Sequence, residues 1–334
     1  MPVSRVGLVL GGGGITGAAF QFGALLTLQL ATGWDANSAE VVVGTSCGAL
    51  TGAMVRGNEL NLRTFVGDAE SRDEVAATLR ERVFTRSKPT GVVRWVRRGI
   101  LPGLRRPDLS LALGSPAIYS TEGLAGWVAD ALGDDATGWP DHPTVIVAYD
   151  VEARKRAPFG TDAAPPAQLK NAVAASAAVP GIFQPVRISE RWYADGGLAS
   201  GTSIDLVLGS DRALDLIIVV APLAAAERRP GARFYEDIFD RFGRTALEAE
   251  VQLVKEHWPD TDVTIFYKDI RLQGKEYERY YLKAQQLGVN FHRAEITEVT
   301  ESVKQGLTLT VEHHNGAKET VNVDLLVLSA AMTP

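Results

Sequence analysis

Short apolar runs recur along the first 220 residues and alternate with longer segments whose composition suits a helix. The runs are rich in β-branched side chains and contain no alternating polar positions, which is typical of strands buried on both faces of a parallel sheet. They lie at residues 6–10, 41–43, 144–148 and 214–220, and the intervening helices are predicted at residues 18–30 and 171–179. We therefore predict an α/β fold with a mostly parallel sheet flanked by helices over residues 1–250.

Glycine-rich turns follow the first two predicted strands. The first strand runs into Gly11-Gly-Gly-Gly14, with Gly17 three positions later at the start of a helix. Backbone amides at a helix N-terminus attract an anion, either a phosphate or a transient oxyanion. The second strand runs into Gly44-Thr-Ser-Cys-Gly48. This G-x-S-x-G pattern between a strand and a helix is typical of a nucleophile elbow, with Ser46 as the candidate nucleophile.

The first glycine loop also fits a different chemistry. Gly12-x-Gly14-x-x-Gly17 matches the dinucleotide-binding fingerprint, which normally has an acidic ribose ligand at the end of the second strand. That strand leads into the Ser46 turn instead, which favours an oxyanion site. A phosphate- or nucleotide-binding module is kept as the alternative, and ligand-induced thermal stabilisation by a nucleotide distinguishes the two.

A serine nucleophile needs a base, and histidines are scarce in the first 250 residues. Four of the five histidines lie beyond residue 256, and His142 lies in a proline-flanked loop that is typical of a solvent-exposed connection. Asp195, in Trp192-Tyr-Ala-Asp-Gly-Gly197, is the acid whose glycine-rich setting best suits close approach to a substrate. A plain Asp-Gly hairpin turn is the alternative explanation of this motif. We interpret Asp195 as the base, with partial burial raising its pKa toward the working range.

Together, the loop Gly11–Gly17, the Ser46 elbow and the Asp195-Gly196 turn resemble the patatin-like phospholipases. Residues 172–183 and the pair Pro185-Val186 also match the run that precedes the aspartate in that family. The resemblance implies a lipid acyl hydrolase whose serine and aspartate form a catalytic dyad. It assigns those roles to Ser46 and Asp195, and the oxyanion hole to the amides of Gly12, Gly13 and Gly14.

The chain departs from the family pattern at one position of the loop. Many members carry Arg or Lys before the last glycine, whereas this chain carries Thr16. The substitution removes a positive charge near the predicted oxyanion hole. Anion stabilisation is therefore expected to depend on backbone amides alone.

Bulk composition narrows the possible partners. The 334 residues carry a formal net charge of −6, which gives no overall signature of nucleic-acid binding. The single cysteine, Cys47, excludes an internal disulfide and a cysteine-based metal site, and we expect it to be a small buried neighbour of the turn. No apolar run in the sequence reaches the length of a membrane span. We expect a cytoplasmic protein with a lipid ester substrate, without cofactor, metal or nucleic acid.

A basic segment lies between residues 80 and 106. It contains nine Lys or Arg residues against one acid, Glu81, with Trp95 among them. One interpretation is a solvated cap helix and loop. The other is a peripheral contact with anionic lipid headgroups above the mouth of the site.

The pattern changes beyond about residue 250. Strands are predicted at residues 263–267, 289–291, 307–311, 320–323 and 323–328, and a helix at residues 276–287. Residues 266–271, 274–277, 288–291 and 324–329 resemble an internal part of the flavoprotein subunit of heterodisulfide reductase. The cysteine motifs and flavin fingerprint of that family are missing from the tail. We expect a small α/β appendage over residues 251–334, fused near residues 244–255, and a redox-subunit fragment is the alternative that a bound yellow chromophore would support.

Overall fold

The computed structural model describes residues 5–86, 117, 119–208, 214, 216–222, 263–267, 289–301, 307–313, 315–323 and 325–328. The strands are β1 (Val6–Leu10), β2 (Val41–Thr45), β3 (Thr85–Arg86), β4 (Tyr119–Ser120), β5 (Thr144–Asp150), β6 (Lys155–Phe159), β7 (Val186–Ile188), β8 (Arg191–Asp195), β9 (Leu216–Val220), β10 (Val263–Tyr267), β11 (Val289–Glu301), β12 (Leu307–His313), β13 (Lys318–Val323) and β14 (Leu325–Leu328). The helices are α1 (Gly14–Thr32), α2 (Cys47–Arg56), α3 (Leu62–Val66), α4 (Arg72–Val83), α5 (Glu122–Leu132), α6 (Leu169–Ser176) and α7 (Asp205–Leu208).

The central sheet has the strand order β14-β9-β1-β2-β5-β8-β7, with β6 also paired to β5. Its first five strands in this order are parallel, and β6, β7 and β8 run antiparallel at one margin. The prediction of an α/β fold with a mostly parallel sheet flanked by helices is confirmed. Strands β1, β2 and β9 are buried throughout, as their uninterrupted apolar sequences predict.

Helices cover the sheet on both faces. Alternate residues of β1 point in opposite directions, so Leu8 joins a buried cluster with Leu25 of α1, whereas Val9 joins a cluster with Val207 of α7. Helices α2, α5 and α6 contribute to a further cluster that surrounds Ile146 of β5. The loops that leave the carboxyl ends of β1 and β2 are consequently held between well-packed layers.

Helix α1 is long and apolar for a helix at the rim of a sheet. It has 19 residues with a mean hydropathy of 1.3, and it is the one helix of the described residues that could cross a membrane by length and composition. The sequence-based statement that no segment reaches this length was therefore wrong. Its buried face, which includes Phe22 and Leu25, packs in the protein core, so we interpret α1 as a core helix.

The tail shares both a sheet and a core with the rest of the protein. Strands β10 to β13 form a four-stranded sheet, in which β11, β12 and β13 are antiparallel neighbours. Strand β14 instead pairs in parallel with β9 of the central sheet. Leu309 and Val311 of β12 are buried in the same cluster as Leu8 and Ile218. The appendage is thus joined to the hydrolase-like sheet by hydrogen bonds and by apolar packing.

Three predicted features fall partly or wholly outside the described residues. They are the basic segment from residue 87 onward, the helix at residues 276–287 and the fusion zone at residues 244–255. The division at residue 250 stays a prediction.

Candidate active site

Ser46 occupies a sharp turn between β2 and α2. Its backbone has φ 56° and ψ −119°, a conformation that a residue with a side chain rarely adopts. Strain of this kind persists only where the surrounding structure enforces it, and it is typical of the serine in a strand-turn-helix elbow. The turn places the Ser46 side chain at the amino end of α2, where the helix dipole favours negative charge.

The two glycines that flank Ser46 are required by close backbone approaches. A Cβ atom on Gly48 would lie 2.0 Å from the carbonyl oxygen of Leu10, at the end of β1. A Cβ atom on Gly44 would lie 2.5 Å from the carbonyl oxygen of Gly48. Glycine at both positions lets α2 pack directly against the carboxyl ends of β1 and β2.

The hydroxyl of Ser46 donates a hydrogen bond to Oδ2 of Asp195 over 2.6 Å. The other carboxylate oxygen, Oδ1, accepts the amide of Gly197 at 2.7 Å. Both side chains are buried, and burial raises the pKa of Asp195 to about 6, although the hydrogen bonds from Ser46 and Gly197 act in the opposite direction. A carboxylate with this pKa is able to accept a proton near neutral pH.

Ser176, near the end of α6, fixes the nucleophile from behind. Its hydroxyl accepts the Ser46 amide at 2.9 Å and donates to the carbonyl oxygen of Val147 at 2.5 Å. The sequence analysis included Ser176 in a matching run but assigned it no role. A lone hydroxyl in an alanine-rich buried helix was the available signal, because a buried hydroxyl requires partners.

The glycine loop lies beside Ser46 and divides into two functional parts. A Cβ atom on Gly12 would lie 3.5 Å from the Cβ atom of Ser46, which fixes the proximity of the loop to the nucleophile. The Gly12 amide, however, donates to the carbonyl oxygen of Gly201 at 2.9 Å. Gly13 is the N-cap of α1 and Gly14 is its first residue, so their amides belong to the unsatisfied first turn of the helix.

Thr16 lies on the exposed side of this first turn. Its hydroxyl contacts the carbonyl oxygen of Gly13 at 3.5 Å, at the long limit for a hydrogen bond. Helix α1 has no acidic residue in its first turn and begins with no side-chain cap. The field at this helix end is therefore that of the backbone alone.

The segment after Asp195 supplies the carbonyl group of Gly201 and is held at its far end. Gly196 approaches the carbonyl of Val147 so closely that a Cβ atom would lie 2.1 Å away. At the other end, Arg156 of β6 forms a two-pronged ion pair with Asp205 of α7. These two contacts fix the segment against which the glycine loop rests.

His142 is remote from Ser46. It is exposed and precedes β5, at the amino end of that strand, whereas Ser46 follows the carboxyl end of the parallel strand β2. The geometry thus excludes His142 as a direct partner of Ser46 and agrees with the choice of an aspartate.

The remaining candidate chemistry at the site is limited. Cys47 is buried, and its Sγ atom lies 3.4 Å from the carbonyl oxygen of Gly11. Burial, and to a lesser extent the charge of Asp195, raise the pKa of its thiol far above the usual range, so it is a packing residue. Within the described parts of the chain, no group of three or more His, Cys, Asp or Glu side chains is arranged to hold a metal ion.

Comparison with known families agrees with this arrangement. The model of the patatin-like phospholipase family matches residues 8–208, which is more than half of the chain and includes the glycine loop, the elbow and the Asp195 turn. The chain belongs to the patatin-like phospholipase family. Membership supports a lipid acyl hydrolase at the family level. The solved structure of VipD from Legionella pneumophila is a neighbour with a TM-score of 0.32 and 12% identity, covering 86% of this chain and 67% of VipD.

The other similarity concerns a different class of protein. A subunit of the ferredoxin:CoB-CoM heterodisulfide reductase of Methanosarcina acetivorans is 34% identical over 133 residues, covering 40% of this chain and 16% of that protein. The iron-sulfur subunit of CoB–CoM heterodisulfide reductase from Methanocaldococcus jannaschii is 43% identical over 86 residues, covering 25% of this chain and 13% of that protein. These partial matches agree with the resemblance of the C-terminal region of this patatin-like protein, and the chain spans less than a fifth of either relative.

Proposed function

We propose that this patatin-like protein is a serine acyl hydrolase that cleaves carboxylic esters of lipids with a Ser46–Asp195 dyad. The observation that carries the proposal is the 2.6 Å hydrogen bond from the Ser46 hydroxyl to the buried Asp195 carboxylate. A buried carboxylate with a raised pKa, held against a hydroxyl in a strained elbow, is the arrangement that activates a nucleophile.

In the acylation step, Ser46 Oγ forms a bond to the ester carbonyl carbon while its proton passes to Asp195. The tetrahedral intermediate then collapses, the bond to the leaving alcohol breaks, and Asp195 returns the proton to the alcohol oxygen. In deacylation, a water molecule attacks the acyl-enzyme and gives a proton to Asp195. Collapse releases the carboxylic acid, and Ser46 recovers its proton. No cofactor takes part in these steps.

The oxyanion of each tetrahedral intermediate needs donors beside Ser46. Of the three glycines predicted for this purpose, Gly13 and Gly14 are our candidates, because they begin α1 and lie at the partly exposed end of the loop. The Gly12 amide is engaged by Gly201 and acts instead as an anchor for the loop. The field at the amino end of α1 adds to the stabilisation of negative charge.

A lipid substrate agrees with family membership, and contact with a membrane surface stays a prediction. Of the basic segment, Arg80 and Arg86 are exposed, whereas Arg82 donates to the carbonyl oxygen of Thr64 at 3.0 Å and lies over the ring of Trp127. A cytoplasmic location likewise stays a prediction.

The test is hydrolysis of a p-nitrophenyl fatty ester and of phosphatidylcholine vesicles by the full chain and by Ser46→Ala. We expect Ser46→Ala to abolish turnover of both substrates while it retains the circular dichroism spectrum. Ser38→Ala, which alters an exposed serine, serves as the control and should match the parent chain. A fluorophosphonate probe should label Ser46, as mapped by mass spectrometry. Unchanged turnover in Ser46→Ala contradicts the proposal.

A further inference from the structure

We propose that Gln21 is a positioning residue that holds the glycine loop in register with the nucleophile helix. The inference rests on the proposed function in so far as it concerns catalysis. Gln21 lies in the otherwise apolar helix α1, and its side chain is fully buried. A buried amide is unfavourable unless its hydrogen-bonding groups are satisfied, so its partners explain its presence.

Those partners belong to three separate elements that meet at the site. The Nε2 group donates to the carbonyl oxygen of Gly11 at 2.6 Å and contacts that of Val220, at the end of β9, at 3.4 Å. The Oε1 atom accepts the hydroxyl of Thr51 at 2.8 Å, in the second turn of α2. One side chain thus joins the ends of β1 and β9 to the helix that begins directly after Ser46.

The contact with Gly11 fixes a peptide plane of the glycine loop. The Gly11 carbonyl is held by Gln21, and the next amide, that of Gly12, donates to Gly201. Because these two groups belong to the same peptide unit, both of its faces are fixed before the chain reaches Gly13. The direction of the Gly13 and Gly14 amides relative to Ser46 therefore depends on Gln21.

Gln21 acts through the loop and not on the substrate. Its contacts are with backbone carbonyls and with Thr51, and none of the hydrogen bonds described for it reaches Ser46 or Asp195. A role in stability alone would alter the free energy of unfolding but leave the chemical step intact in molecules that are folded. A role in positioning lowers kcat at constant folded fraction, because small errors in geometry reduce the rate strongly.

The experiment compares Gln21→Leu, Thr51→Val and Thr51→Ser with the parent chain, at a temperature at which each variant is folded. Leu25→Ala is the matched control, since Leu25 lies one turn along the buried face of α1. Steady-state kinetics with a soluble p-nitrophenyl ester separate kcat from KM. Hydrogen exchange, followed by mass spectrometry of peptides that cover residues 11–17, reports the order of the loop without requiring activity.

We expect Gln21→Leu to lower kcat by about tenfold to a hundredfold with little change in KM, and to accelerate exchange in residues 11–17. Thr51→Val should show a smaller effect in the same direction, and Thr51→Ser should restore both readouts. Leu25→Ala should lower Tm without changing kcat. If Gln21→Leu does not fold, Thr51→Val decides the question, because it leaves α1 intact.

A loss of stability in Gln21→Leu with kcat and loop exchange unchanged overturns the inference. The proposed function fails separately, if the parent chain shows no turnover that depends on Ser46. In that case, unchanged loop exchange in Gln21→Leu and Thr51→Val still overturns the positioning role, and accelerated exchange still supports it.

Discussion

Ser46 and Asp195 are 149 positions apart in the chain, yet the Ser46 hydroxyl donates directly to the Asp195 carboxylate. Strand β5 explains how they meet. Thr45 at the end of β2 is paired with Val147 of β5, and Asp195 at the end of β8 is paired with Ala148 on the other side of β5. Two turns that flank one strand at the same height bring the hydroxyl and the carboxylate together across it.

The first prediction concerns the pH dependence of the rate. Asp195 accepts a proton only as the carboxylate, and its pKa is raised to about 6. We expect kcat/KM to fall by about tenfold for each pH unit below 6 and to level off above about pH 7. The measurement is initial rates with a soluble fatty ester between about pH 4.5 and 8, on samples shown to be folded throughout. A flat profile over this range contradicts the role of Asp195 as base.

The second prediction concerns the stability cost of the same carboxylate. The native state keeps the Asp195 proton up to about pH 6, whereas the unfolded chain releases it at the ordinary value of 3.8. Between these values the native state binds more protons, so the free energy of unfolding falls as pH rises, by on the order of 3 kcal/mol for this group. The contribution of the neutral acid is complete below the lower value and lost above the higher one.

Asp195→Asn cannot ionise and should escape this loss. We expect urea unfolding to show the variant gaining stability relative to the parent chain as pH rises from about 4 to 7.5, while hydrolysis is abolished. Asp205→Asn is a comparison at a carboxylate that is partly exposed and paired with Arg156. An Asp195→Asn difference that is the same at both pH values would show that the buried charge carries no such cost.

The third prediction tests the close approach of α2 to β1. Gly48→Ala places a methyl group 2.0 Å from the Leu10 carbonyl oxygen, so we expect a loss of about 3 kcal/mol or more of stability. Gly23→Ala is the matched control, because a Cβ atom there meets nothing within 4 Å and the position is exposed on α1. It should be neutral or stabilising by about 0.5–1 kcal/mol. Thermal and urea unfolding measure both variants, and equal effects would contradict the packing argument.

The fourth prediction concerns the edge of the central sheet. Strand β14 covers β9, whose five residues are all apolar and buried. Deletion of residues 325–334 should leave β9 as an exposed apolar edge and promote self-association, which sedimentation and light scattering detect. Deletion of residues 330–334 keeps β14 and serves as the control. Equal association states for the two truncated chains would contradict the proposed covering role of β14.

The turns of the site were accessible from the sequence because their chemistry is local. A serine between glycines after a β-branched strand predicts an elbow, and glycines at a helix start predict an anion site. The apolar runs predicted the strands of the sheet for the same reason, since full burial needs no distant partner to be recognised. The choice of Asp195 depended on a scarcity of histidine and on a family resemblance, not on any local geometry.

Other features were decided by contacts between distant segments. Neither the capture of the Gly12 amide by Gly201, nor the bracing of Ser46 by Ser176, is visible in residue spacing. The pairing of β14 with β9 depends likewise on which sheet edge is left open. The sequence by itself determined which turns carry a nucleophile, an acid and an anion site. Only the tertiary structure decided which amides and hydroxyls face one another, because hydrogen-bond partners across a sheet are selected by strand order and register.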